Sequence, residues 1–264
     1  MTLLQGLILG AIQGITEFFP VSSSAHLVFA KSLFGIRTAG ASLVVVLHLG
    51  TLLSVLVIFR KDIAGILAYL FSPRRKERVH GIDERETIVG IMIGTLPAVV
   101  IGFAFKSKLE EAFSSPGLVA IALLVTGVFL LVTRRESGEG REPKRRDWLY
   151  IGLAQAVAIL PGISRSGSTI GTGILRGLRR EKALRMSFLL SIVAIAGAAV
   201  VELPKISQAE VIAPAYLIAS AISSFLFGCL SVWALFRLVK RGAFEYFGVY
   251  CLVAGVLASV YFLK

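Results

Sequence analysis

The sequence predicts an all-α polytopic membrane protein, with six transmembrane helices plus two re-entrant helical hairpins in an inverted-topology repeat. Three observations lead there. The 264 residues are 56% hydrophobic and 17% charged, with a mean hydropathy of +0.81. A soluble domain carries about 45–50% apolar and about 25% charged residues. The apolar residues also come in blocks too long for one globular core, and two of these blocks are broken by Pro, Gly and Ser. This composition excludes a disordered chain, a collagen, a small disulfide scaffold and an ordinary soluble enzyme.

Six blocks have the length of a bilayer crossing, about 17–25 residues. They are 40–59, 87–105, 117–133, 183–201, 213–236 and 244–263. Two others do not fit a simple span. Block 3–34 is interrupted at Phe19-Pro20-Val21-Ser22-Ser23-Ser24, and block 148–178 at Pro161-Gly162-Ile163-Ser164-Arg165-Ser166-Gly167. As one helix the first would measure about 48 Å, too long for a hydrocarbon core of about 30 Å. Its two arms, at roughly 21–25 Å each, are each too short to cross. Both blocks therefore read as re-entrant hairpins, whose tips are tolerated at membrane depth only when buried in protein or lining a wet cavity.

Charge tests this layout. The net charge is +12, from 28 Lys and Arg against 16 Asp and Glu. In a soluble protein such a balance would suggest nucleic acid. Here the basic residues sit in short loops, so they read as topology signals and no nucleic-acid partner is expected. If each hairpin returns to the side it entered, one side collects 21 Lys and Arg and the other 6, with Arg165 alone inside the membrane. The richer side is expected to be cytoplasmic and both termini extracytoplasmic. Met1-Thr2-Leu3-Leu4 has no basic n-region, so no cleaved signal peptide is expected. Cys229 and Cys251 lie in apolar segments and read as small hydrophobes.

The whole chain, 1–264, reads as one integral membrane domain. Each half is a hairpin followed by three spans, which gives inverted repeats at about 1–135 and 147–264. Similarity between the halves is faint. The best echo is a proline with a serine three residues on, Pro20/Ser23 and Pro161/Ser164. Inverted repeats with broken helices place their site near the midplane, where the breaks meet.

The breaks carry the chemistry. Gln13 and Glu17 are four apart and share a helix face, as do Arg165 and Thr169, while Ser23 and His26 are three apart. Intramembrane Glu, His and Arg persist when paired or functional. A structural Glu17–Arg165 ion pair would account for two of them but not for His26 or the hydroxyls. Helix starts after Pro20 and Gly162 would offer N–H groups and a positive dipole end. Arg165 offers a planar fork for phosphate oxygens. One of Ser22, Ser23 and Ser24 suffices to cap the second arm. Ser23 is a candidate nucleophile, with Glu17 or His26 as its base. His48 reads as structural or pathway-lining, and His80 as a solvated loop residue.

At these residues the sequence resembles the undecaprenyl-diphosphatase family of bacitracin-resistance membrane phosphatases. The first motif stands here as Gln13-Gly-Ile-Thr-Glu17-Phe-Phe-Pro20-Val-Ser22-Ser23-Ser24-Ala25-His26, and the second is complete from Pro161 to Thr169. The resemblance covers essentially the whole chain. It implies hydrolysis of undecaprenyl diphosphate to undecaprenyl phosphate and inorganic phosphate, which recycles the lipid carrier for cell-wall synthesis. It implies Glu17, Ser23, His26 and Arg165 as catalytic residues. Ser22, Ser24, Ser164, Ser166, Gly167 and Thr169 would hold the phosphate. A divalent cation, Mg²⁺ or Ca²⁺, is implied near Glu17 and Gln13, as are a homodimer and a bacterial plasma-membrane location. Many members have Glu where this chain has Gln13, which weakens any scheme needing two carboxylates. A transporter or flippase of phosphate or polyprenyl phosphate is the alternative on the same layout; it would need Arg165 but no Ser23–His26 pair.

Overall fold

The computed structural model describes residues 1–36, 41–71, 83–133, 140–202 and 212–263. His80, Arg37, Lys205, Lys264 and parts of the basic loops lie outside the described residues. Among those described, every regular element is a helix: α1 (Leu3–Phe18), α2 (Ser23–Leu33), α3 (Ala41–Ile58), α4 (Arg60–Phe71), α5 (Glu84–Ala104), α6 (Lys106–Phe113), α7 (Pro116–Val132), α8 (Arg145–Val157), α9 (Arg165–Leu175), α10 (Arg180–Glu202), α11 (Pro214–Lys240) and α12 (Phe244–Phe262).

All six predicted spans are helices. On their own, α5, α10, α11 and α12 are long and apolar enough to cross a membrane; α3 and α7 reach that test together with α4 and α6. The chain bends by 78° between α3 and α4 and by 99° between α6 and α7. Helices α4 and α6 fall between the predicted spans. Their mixed charged and apolar residues, such as Lys106-Ser-Lys-Leu-Glu-Glu-Ala-Phe113, suit short helices lying along a membrane surface.

Both breaks form where expected. A capping box starts α1: Thr2 Oγ1 accepts from Gln5 N at 3.2 Å, and Gln5 Oε1 accepts from Thr2 N at 2.8 Å. The helix stops at Phe19, which precedes Pro20 and is extended at φ −62°, ψ 141°. Ser22 then caps α2 from the left-handed side of the map, at φ +66°. At the second break Gly162 takes φ +98° and packs against the Val119 carbonyl and the Ala122 methyl of α7, where any side chain would collide. Ser164 caps α9 by accepting from Gly167 N at 3.0 Å.

Each hairpin folds back on itself. Leu9 of α1 shares a buried cluster with Leu27 and Ala30 of α2. The two ends of the second hairpin are tied together. Arg141 N donates to Gly177 O at 2.9 Å, and Arg179 N donates to Arg141 O at 3.3 Å. Asp147, fully buried, accepts from Arg141 at 2.6 and 2.7 Å and from Arg176 Nε at 3.2 Å. With 13 and 11 residues, α8 and α9 are each about 16–20 Å long, shorter than a crossing.

The hairpins pack crosswise. The first arm, α1, lies along α11, where Gly6, Gly10 and Gly14 meet Ser220, Ser223 and Ser224. The first arm of the second hairpin, α8, lies along α5, where the Gly152 and Gly94 backbones touch. Small residues let membrane helices approach closely, and hydroxyls supply hydrogen bonds between them. Ser223 Oγ donates to Leu7 O and Ser224 Oγ to Leu47 O, both at 2.8 Å. α7 and α12 pack together through Gly127 and Gly255. The first arm of each hairpin thus packs on a helix from the other half of the sequence.

Candidate active site

The two tips meet, and three hydrogen bonds join them. Arg165 Nη2, on the first turn of α9, donates to Glu17 Oε1 on the last turn of α1 at 2.7 Å. Ser166 Oγ donates to Phe19 O at 3.1 Å, and Gly162 N donates to Ser24 Oγ at 3.2 Å. The tip of the second hairpin is braced on α7: Thr126 Oγ1 donates to Gly162 O at 2.9 Å and accepts from Ser164 N at 3.1 Å.

Glu17 is the hub. Its side chain is 8% exposed and that of Arg165 is 15% exposed. Its second oxygen, Oε2, accepts from Ser23 Oγ at 2.6 Å and from Gln13 Nε2 at 3.1 Å. A carboxylate with an arginine on one oxygen and a serine hydroxyl on the other is arranged to take the serine proton. Two buried polar atoms flank this hub without a protein partner: Arg165 Nη1, a donor, and Gln13 Oε1, an acceptor. Buried polar groups are rarely left unmatched, so such a pair marks a place for a ligand with oxygens and positive charge. His48 Nδ1, on α3, is bonded to Val44 O at 2.8 Å.

The other predicted residues divide. Ser22 Oγ and Ser24 Oγ are 3.0 Å apart, and Ser164 Oγ and Ser166 Oγ 3.2 Å, all near the junction of the tips. The Gly167 amide is taken up in the α9 cap and its Cα face abuts Pro20. Thr169 lies apart, because its hydroxyl is bonded to Arg165 O at 2.8 Å and to Ser187 Oγ of α10 at 2.6 Å. The His26 ring nitrogens are bonded neither to Glu17 nor to Ser23. Nδ1 is 2.9 Å from Ser22 O, and Nε2 is 2.7 Å from the Tyr250 hydroxyl of α12.

A family model described as bacitracin resistance protein BacA matches residues 6–257. This chain belongs to the BacA family. Among its relatives is the undecaprenyl-diphosphatase of Korarchaeum cryptofilum, 40% identical over 259 residues, 97% of this chain and 98% of that one. Others are the undecaprenyl-diphosphatase of Desulforapulum autotrophicum, 37% identical over 98% of both chains, and undecaprenyl-diphosphatase 1 of Shouchella clausii, 35% identical over 99% and 97%.

Sequence reasoning missed two residues of this BacA-family site, Thr126 and Tyr250. Each sits inside a span, far along the chain from the tip it contacts, and a lone Thr or Tyr in an apolar helix does not announce its partner. Among the described residues no group of three or more His, Cys, Asp or Glu side chains forms a cation cage.

Proposed function

We propose that this chain hydrolyses the terminal phosphoanhydride of undecaprenyl diphosphate, releasing inorganic phosphate and the monophosphate lipid carrier. The observation that carries this reading is the Ser23–Glu17–Arg165 chain of contacts at 2.6 and 2.7 Å across the two hairpins. The names of the relatives supply the substrate.

Arg165 Nη1 takes an oxygen of the terminal phosphate, and the guanidinium charge offsets the negative charge that builds up as the bond breaks. Glu17 accepts the Ser23 proton, Ser23 Oγ forms a bond to the terminal phosphorus, and the lipid phosphate leaves with the anhydride oxygen. Water then cleaves the phosphoserine, returning Ser23 and freeing phosphate. His26 serves the leaving oxygen or the incoming water. Ser22, Ser24, Ser164 and Ser166 supply hydroxyls around the phosphate.

A divalent cation fits this site as a companion of the diphosphate. Gln13 Oε1, buried and without a protein partner, and the Glu17 carboxylate would hold it, while phosphate oxygens and water complete its shell. Held there, such a cation would supply positive charge against the diphosphate.

Two further assignments rest on the same reading. The crosswise packing of α1 on α11 and α8 on α5 supports an inverted repeat of the two halves. The basic loops support a plasma-membrane orientation with both termini extracytoplasmic. Transport would need Arg165 but no base on Ser23; the hydroxyl is bonded to Glu17 rather than paired with His26 as the spacing suggested, and that bond favours hydrolysis. Phosphate release from undecaprenyl diphosphate by the purified chain in detergent tests the proposal; lipid binding without release would overturn it.

A further inference from the structure

The imidazole of His26 is bonded at both nitrogens, and one of its two partners is a pure acceptor. Ser22 O is a carbonyl and can only accept, so Nδ1 carries the proton in the 2.9 Å bond between them. In the neutral ring Nε2 is then an acceptor, and the Tyr250 hydroxyl at 2.7 Å is its donor. The Ser22 carbonyl is aimed by an unusual backbone. At φ +66°, Ser22 sits in a region that non-glycine residues occupy at a cost, and such strain collects where a group must be oriented.

Tyr250 is more than an aromatic at the lipid boundary. It lies 224 residues from His26, on the second turn of α12. Its ring stacks on the imidazole at 5.7 Å and 11°. The residue is 47% exposed, and its hydroxyl is bonded to Nε2. The same stretch of α12 grips the first tip elsewhere, with Phe247 against Phe19 at 5.1 Å and Cys251 Sγ donating to Pro20 O at 3.6 Å.

We propose that Tyr250 is a positioning residue for His26: it holds the imidazole in its Nδ1–H form, with the Nε2 lone pair turned to α12 and the lipid-exposed side of the site. The inference rests on the phosphatase reading and deepens it. Glu17 is bonded to Ser23 and His26 to Tyr250, so the two groups that could move protons are held apart on different partners.

The test is Tyr250→Phe, which keeps the ring and removes one hydroxyl. Two readouts are needed: steady-state kinetics with undecaprenyl diphosphate, and the imidazole ¹⁵N resonances of histidine-labelled protein in detergent, with His26 assigned from a His26→Gln sample. The expected result is a fall in kcat of about tenfold, the size of one lost neutral hydrogen bond, with KM within about twofold. The His26 Nε2 resonance should move while those of His48 and His80 stay. Unchanged kcat with unmoved His26 signals would overturn the proposal, and so would lost activity with unmoved signals. If wild type releases no phosphate, the phosphatase reading fails, and the resonances still report whether Tyr250 holds His26.

Discussion

Arg165 and Glu17 lie 148 residues apart and join at 2.7 Å, one from each broken helix. This ion pair is the seam between the halves of the molecule. Both charges are largely withdrawn from solvent, so neither is stable there without the other. The pair nevertheless leaves Arg165 Nη1 and Gln13 Oε1 without partners, so the seam is only part of what these groups are placed to bind.

Glu17→Gln keeps the shape of the hub and removes its charge. Ser23 then has no base, and Arg165 becomes an unpaired buried cation. Phosphate release should fall by about 10²–10⁴, the range typical of a lost general base. Thermal stability in detergent should also drop, because stranding a buried charge costs about 3–5 kcal/mol. Turnover and unfolding temperature, read on one monodisperse preparation, check both parts.

Covalent catalysis predicts a phosphoserine. Rapid acid quench during turnover, followed by peptide mass spectrometry, should find phosphate on Ser23 and none on Ser22 or Ser24. Quenched enzyme free of phosphoserine would instead favour direct attack by water, with Ser23 binding the phosphate.

The second hairpin should loosen in acid. Burial raises the Asp147 carboxyl, but bonds from Arg141, the Lys144 amide and Arg176 outweigh it and hold the group below its ordinary 3.8. A depressed carboxylate stabilises the fold fully above its unfolded value and loses that contribution as pH falls through the folded value. Unfolding temperature should therefore decline below about pH 4, where free Asp titrates. Asp147→Asn should be less stable at pH 7 and show a flatter decline. A parallel decline in both proteins would contradict this.

Close helix contact makes another prediction. A methyl added at Gly152 would run into the Gly94 backbone, with its Cα at 2.6 Å, and backbone cannot step aside cheaply. Gly152→Ala should destabilise by about 1–3 kcal/mol, as overpacking does. Gly197, with nothing within 4 Å of the added methyl, is the control. Its alanine variant should be neutral or slightly stabilising, as Ala suits a helix better than Gly. Thermal unfolding of the two variants decides.

Much of this was legible in the sequence, for identifiable reasons. Pro20 and Pro161 stop helices through local sterics, and Ser22 and Ser164 restart them, so both breaks could be placed within a few residues. Glu17 and Arg165 stood out because charge inside a membrane is rare. The basic loops marked one side. The residues that aim the site were not legible. Tyr250 reaches His26, Thr126 braces Gly162 and Ser187 takes Thr169 only after the spans have packed, and an isolated hydroxyl in an apolar helix does not announce its partner. Helices α4 and α6 were missed because their charges break the long apolar run that marks a span. The Thr169 motif position was visible, but not that its hydroxyl turns to α10.

The central claim is that the junction of the two tips performs hydrolysis. The most direct measurement is phosphate release from undecaprenyl diphosphate in detergent, with Mg²⁺ or with chelator, for wild type, Ser23→Ala and Arg165→Ala. The account predicts that wild type turns over and that both folded variants are slower by about a hundredfold or more, as for loss of a principal catalytic group. Chelator should slow wild type. Full turnover by either variant, or a wild type that binds the lipid and releases no phosphate, would contradict it.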